Sequence, residues 1–150
     1  EGIGAWAHSS DRTVTTIGMA PGLVVVVLEG TVSVEGTQEH RVSAFPVVHA
    51  ESADAWFIEP WGYRMADPPI VVSAPGLDTY ERASTGPVKL DAKRAGTALV
   101  AFGDAAPQTV TLRAGATQSI DGTGELVTVV YRTDDEIIAT AFVRTATGVP

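Results

Sequence analysis

The chain contains no cysteine and no asparagine among its 150 residues. Without cysteine it can form neither disulfides nor thiolate metal sites. Without asparagine it has no acceptor for N-glycosylation. Positive charge is also scarce: the chain has 10 Lys+Arg and 18 Asp+Glu, which gives a formal net charge of −8. An acidic surface repels phosphate backbones and anionic lipids, so we expect neither nucleic acid nor a membrane as a direct partner.

Long hydrophobic runs are missing as well. The longest, Leu23–Leu28, is the length of a strand and far shorter than the ~18 residues that a membrane-spanning helix needs. With 45% apolar and 19% charged residues, the composition is that of a folded globular protein. The length fits one domain over residues 1–150. Eight arginines against two lysines, with abundant Ala, Val, Thr and Gly, indicate a GC-rich source genome.

The dominant pattern is alternation of apolar and polar residues in short segments bounded by Gly, Pro and Asp. This pattern predicts strands at intervals of roughly ten residues, and therefore an all-β domain, either a β-sandwich or a jelly-roll-like barrel with short antiparallel strands and little helix. The predicted strands are Thr13–Met19, Leu23–Leu28, Thr31–Glu35, His40–Val48, Ala55–Ile58, Ile70–Ser73, Ala98–Phe102, Thr109–Arg113, Thr117–Ile120, Leu126–Arg132 and Ile137–Arg144.

Two places depart from that alternation. Pro46 interrupts the segment His40–Val48 and suggests a sheet edge or a bulge there. In the middle of the chain, Leu77–Ala83 and Val88–Ala95 could each form two helical turns. We expect residues 76–96 to be an exposed crossover that joins two β halves, about 1–75 and 97–150.

The stretch Leu23–Gly30 resembles the end of the first cupin motif, in which a glycine closes such a strand. The resemblance would imply a metal-binding barrel, but Leu23 stands where that motif places its glutamate ligand. The second cupin motif requires an asparagine, and Met65 replaces its histidine after Pro60-Trp61-Gly62. The resemblance therefore implies at most a cupin-like barrel that lacks the usual metal ligands.

Other candidate sites for metal or catalysis are weak. His49 and Glu51 share one strand face, and His40 could complete a set of two histidines and a carboxylate, although surface histidines explain the same residues. Asp134-Asp135-Glu136 could bind Ca²⁺, but a solvated hairpin loop accounts for it better. Neither a G-x-S-x-G elbow nor a G-x-x-x-x-G-K-[ST] loop occurs. We predict no catalytic residue, no metal and no cofactor, and hence a protein that is not an enzyme.

The most unusual segment is residues 56–65, in which four of the ten aromatic residues fall within eight positions. Tryptophan, tyrosine and arginine are the residue types that dominate protein interfaces. We therefore predict an interaction patch here, with packing into or over the end of the core and a sugar-stacking platform as the alternatives. The patch consists of Trp56, Trp61, Tyr63 and Arg64.

These observations favour a non-enzymatic structural or interaction module. We expect it to act as a subunit of a larger assembly with protein partners, as a homo- or hetero-oligomer. A phage virion component, such as a capsid decoration or tail protein, or a secreted surface domain fits these features, and the expected location is the virion or the extracellular space. The alternative is a cupin-like β-barrel that binds or converts a small molecule, with His40, His49 and Trp56 lining its interior.

Overall fold

A computed structural model describes residues 3–51, 54–58, 67–78 and 81–145. A short 3₁₀ helix, Ile3–His8, precedes twelve strands in these described ranges. The strands are β1 (Thr13–Ala20), β2 (Leu23–Val34), β3 (Thr37–Ala50), β4 (Ala55–Ile58), β5 (Ile70–Ser73), β6 (Arg82–Ser84), β7 (Val88–Ala92), β8 (Gly96–Phe102), β9 (Gln108–Leu112), β10 (Thr117–Ile120), β11 (Leu126–Arg132) and β12 (Ile137–Thr145).

The strands form three sheets. Sheet A has the order β1-β2-β3-β4, sheet B the order β10-β7-β5, and the central sheet the order β6-β12-β11-β8-β9. All the pairings are antiparallel except that of β12 with β6, which is parallel. The predicted all-β, sandwich-like fold is confirmed.

The central sheet is buried on both faces, so the fold has three layers. One face packs on sheet B through residues that include Val100, Val129 and Phe142. The other face packs on sheet A, and Val130 and Ala141 lie in that second core. A sheet covered on both sides needs apolar residues at successive positions, which explains why β8 and β11 do not alternate.

The first two hairpins have short turns. Glu35 and Gly36 join β2 to β3 with φ angles of 50° and 82°, the backbone that a type I′ turn needs. This turn suits an acid-glycine pair because glycine adopts positive φ without cost. Pro21 and Gly22 join β1 to β2, and Gly22 has a φ of 74°. Both turns fix the register of sheet A.

Several predicted elements differ from the observed ones. The two helices predicted over Leu77–Ala83 and Val88–Ala95 are wrong, because β6 and β7 occupy this region. Within the segment predicted as an exposed crossover, Val88 and Leu90 are fully buried in the core. Gly30 does not end a strand, so the two strands predicted on either side of it are one continuous β2.

Pro46 causes no bulge. The pairing of β3 with β2 passes through Pro46 opposite Val25 without a shift in register. Pairing with β4 begins only at Val47, which lies opposite Ile58. In the described residues the proline therefore lies where β3 has a free side, and this agrees with the edge interpretation.

Arg144 is a buried cation, 2% exposed, and it has no acidic partner among the residues that the structure describes. Its Nη1 donates to the carbonyl oxygen of Gly86 at 2.7 Å, and its Nη2 donates to those of Gly122 and Gly124 at 2.9 Å. The guanidinium lies 5.0 Å from the centre of the Phe102 ring, within cation–π range. These contacts hold two loops against the end of β12, so Arg144 stabilises the folded structure there.

Candidate interaction surface

Sheet A has one face in the core and one face towards solvent. Its core face carries residues such as Ile17, Val25 and Val42 against the central sheet. Because side chains alternate along a strand, the neighbouring positions point the other way. The register places Val24 opposite Val47, Val26 opposite Phe45 and Val14 opposite Leu28 on this second face. We call Val14, Val24, Val26, Phe45 and Val47 the outer apolar row.

The outer apolar row is only partly covered in the described structure. Val24, Val26, Phe45 and Val47 are half-buried. Val14 is 57% exposed, and no other large hydrophobic residue in the described ranges is classed as exposed. A contiguous set of apolar side chains on one sheet face, with solvent access, is typical of a contact surface.

The N-terminal segment covers one end of this face. Trp6 is 1% exposed and packs on Leu28 and Val32. Its carbonyl oxygen accepts a hydrogen bond of 2.8 Å from Nη1 of Arg12. Val26 and Phe45 pack against the small apolar cluster around Trp6, whereas Val24 and Val47 lie outside this cluster.

Asp11 fastens the same segment to sheet A. Its carboxylate accepts hydrogen bonds of 2.8 Å from both the backbone N–H and the hydroxyl of Thr31. These bonds from Thr31 hold the pKa of Asp11 below its ordinary value of 3.8, because they stabilise the ionised form. The loop before β1 is thus tied to β2.

β1 forms one border of sheet A, and no described strand pairs with its outer side. It runs for eight residues from Thr13 to Ala20 and contains neither a charged residue nor a proline. Natural edge strands are usually protected by charges, prolines, bulges or short length. β1 has a register irregularity only near its end, between Gly18 and Ala20. Its other positions have none of these protections.

A cleft of about 340 Å³ lies at one end of the contact between sheet A and the central sheet. Its apolar wall includes Leu23 and Ile137, and its polar wall includes His49, Glu51 and Arg132. His49 Nε2 lies 3.1 Å from Oδ1 of Asp54. The charged groups at the cleft have both signs, so it selects no particular charge of ligand.

The structure does not bring together the histidines considered for metal binding. His40 is hydrogen-bonded to Glu29 at 3.1 Å on the surface, whereas His49 lies at the cleft. The two are nine residues apart on β3, about 30 Å in an extended strand. No group of three or more potential His, Cys, Asp or Glu ligands occurs in the parts of the chain that the structure describes.

The three acids of residues 134–136 belong to the turn between β11 and β12. Glu136 pairs with Arg94 at 2.9 Å, and Arg94 also contacts Asp67 at 3.2 Å. The guanidinium donates hydrogen bonds to the carboxylates of Glu136 and Asp67, and these bonds raise the pKa of Arg94. Asp134 and Asp135 are exposed. The loop is therefore solvated, as its interpretation as a hairpin loop predicted.

Of the four residues of the predicted aromatic patch, only Trp56 lies in a range that the structure describes. Trp56 lies in β4, where its backbone pairs with His49 at the border of sheet A. Trp61, Tyr63 and Arg64 lie outside the described residues. Their role as an interaction patch stays a prediction.

Sequence reasoning missed Val14 and the free edge of β1. The signal was present, since an eight-residue strand without charge or proline is readable from the sequence. Which strand lies at the border of a sheet is set by pairing over long distances, and no local pattern reports it.

No helix in the described ranges has the length and apolar character needed to cross a membrane. Comparison of the whole chain with known proteins gives no further assignment, because no family model, curated protein or solved structure matches it.

Proposed function

We propose that this protein is a non-enzymatic structural module that acts as a subunit of a larger protein assembly. The observation that carries the proposal is the outer apolar row, a set of half-buried and exposed apolar side chains on the solvent side of sheet A. Its five members, Val14, Val24, Val26, Phe45 and Val47, lie on three adjacent strands. A partner that covers the row would gain hydrophobic stabilisation of roughly 25 cal/mol per Å² of apolar area removed from water.

The charge distribution supports a contact at this place. The chain carries a net charge of −8, which disfavours close approach of other acidic surfaces. The outer apolar row contains no charged residue, so a partner can cover it without desolvating a carboxylate. The core of a protein interface is likewise depleted of charge.

Within this proposal, the assembly is a phage virion, with the chain as a capsid decoration or tail component, or a cell exterior, with the chain as a secreted surface domain. The support is an acidic chain with a net charge of −8 and a border strand, β1, without charge or proline.

The test is to purify the tagged chain from the cells that produce it and to measure the native mass of the complex in which it is found. We expect a particle far larger than the 15.6 kDa monomer. Val47→Lys should release the chain from it, because a charge in the covered row would lose its hydration. Thr111→Lys, at an exposed position of β9, is the matched control and should stay assembled. A chain that is monomeric in its own cells refutes the proposal, as does equal release of both variants.

A further inference from the structure

We propose that β1 of one copy pairs edge to edge with β1 of a second copy, so that two copies of sheet A form one continuous sheet. This inference rests on the proposed assembly function and names a partner within it. The free edge of β1 spans eight residues, about 27 Å of extended backbone. Its unpaired N–H and C=O groups form a template for another strand.

Among the strands at the borders of the described sheets, β1 offers the longest template. In the described residues β3 has a longer side without a neighbouring strand, residues 37–46, but that stretch carries Glu39, Arg41 and Pro46. β4, β5 and β10 have four residues each, β6 has three and begins with Arg82, and β9 has five. Longer pairing makes more backbone hydrogen bonds, and a strand without charge or proline interrupts none of them. The edge of β1 is therefore the border best suited to accept a strand.

The sequence of β1 is self-complementary in one antiparallel register. When Thr16 lies opposite Thr16 of the partner copy, Val14 lies opposite Gly18 of the partner copy, and the reverse contact is identical by symmetry. An added Cβ at Gly18 would meet no atom within 4 Å, so the space above this glycine is open. Val14 is 57% exposed and lies on the same face. The valine of each copy can thus cover the open glycine of the other.

Charge also permits this register. Both copies are acidic, and like charges directly opposite one another destabilise a strand pair. In this register the seven positions from Thr13 to Met19 pair with one another and are uncharged in both copies, while Ala20 lies opposite Arg12 of the partner copy. Asp11, just before β1, would lie beside Pro21 of the partner copy, and its carboxylate is already bonded to Thr31. A two-fold contact of this kind closes on itself and yields a dimer.

Disulfide trapping tests the register directly, because the chain has no cysteine of its own. Directly opposite residues of antiparallel strands have Cα atoms ~4.5–5.5 Å apart, which is within the range of a disulfide. Thr16→Cys should therefore cross-link to a dimer of twice 15.6 kDa on mild oxidation at high protein concentration. Val14→Cys should not cross-link to itself, since its two copies would lie four residues, about 14 Å, apart. An equal mixture of Val14→Cys and Gly18→Cys should cross-link between the two variants.

Thr111→Cys is the matched control, because it is an exposed threonine on the free-edge strand β9. The inference is overturned if Thr16→Cys cross-links no faster than Thr111→Cys, if Val14→Cys cross-links to itself faster than Thr16→Cys, or if Thr16→Cys is trapped only with another protein. Failure here can be told apart from failure of the proposed function. If Val47→Lys releases the chain from a large particle but Thr16→Cys does not cross-link, the β1 contact is refuted and the proposed assembly function is not.

Discussion

The central sheet and sheet A use similar residues for different purposes. In β11 the consecutive residues Val127 to Tyr131 are all buried, because sheets lie on both sides of the strand. In β2, buried Val25 and Val27 alternate with half-buried Val24 and Val26, because one face points outward. A valine-rich strand is therefore interior in one sheet and part of a surface in the other. We therefore expect the central sheet to contribute most to the stability of the fold, and sheet A to be the site of the proposed contact.

The largest test of this comparison removes a phenyl ring from each sheet. Phe142→Ala empties a fully buried position of the central sheet and should lower the free energy of unfolding by about 3–5 kcal/mol. Phe45→Ala makes the same change in the outer apolar row, where the side chain is half-buried, and should cost roughly 1–2 kcal/mol. Urea denaturation of both variants gives the two values. Equal losses would contradict the division between the two sheets.

A second test concerns the buried cation of the central sheet. Arg144→Met keeps an unbranched apolar stem but removes the guanidinium, which leaves the carbonyl oxygens of Gly86, Gly122 and Gly124 without this donor. Unsatisfied buried acceptors are costly, so we expect a loss of about 3 kcal/mol. Arg113→Met changes an exposed arginine after β9 and should alter stability by less than ~0.5 kcal/mol.

Amide hydrogen exchange locates the effect of Arg144→Met. The loop of residues 121–125 should exchange faster in this variant than in the wild type, because the guanidinium holds its carbonyl groups. Uniformly faster exchange across sheet A and the loop alike would show that Arg144 does not act locally.

Strand positions were largely predictable from alternation. β4, β5, β10 and β11 have the predicted bounds, because turn residues flank them closely. β7 was mistaken for helix because Lys89, Leu90 and Ala92 have good helix propensity. Its period of two, with Val88, Leu90 and Ala92 buried, was present in the sequence. Pairing with β5 on one side and β10 on the other overrides the local preference.

The candidate surface was much less predictable than the fold. Composition marked the aromatic segment 56–65, but exposure depends on which elements pack together. Val14 looks like any other strand valine, and its exposure follows from the border position of β1 and from the reach of the N-terminal segment. A sequence pattern of period two separates the two faces of a strand, yet it does not say which face another sheet covers.

The smallest expected effect concerns the hydrogen bonds between Thr31 and Asp11, which tie the N-terminal segment to sheet A. The pKa of Asp11 is lowered in the folded state by its bonds from Thr31, so the ionised carboxylate contributes stability above its ordinary pKa of 3.8. That contribution is lost as the pH falls through the lower, folded pKa. Asp11→Asn removes the titration, so the stability of this variant should fall less steeply than that of the wild type below about pH 4.

Asp104→Asn, at an exposed carboxylate between β8 and β9, is the matched control and should follow the wild-type curve. Chemical denaturation at a series of pH values gives the three curves, and parallel curves for Asp11→Asn and wild type would show that the Thr31 bonds do not hold the segment in solution.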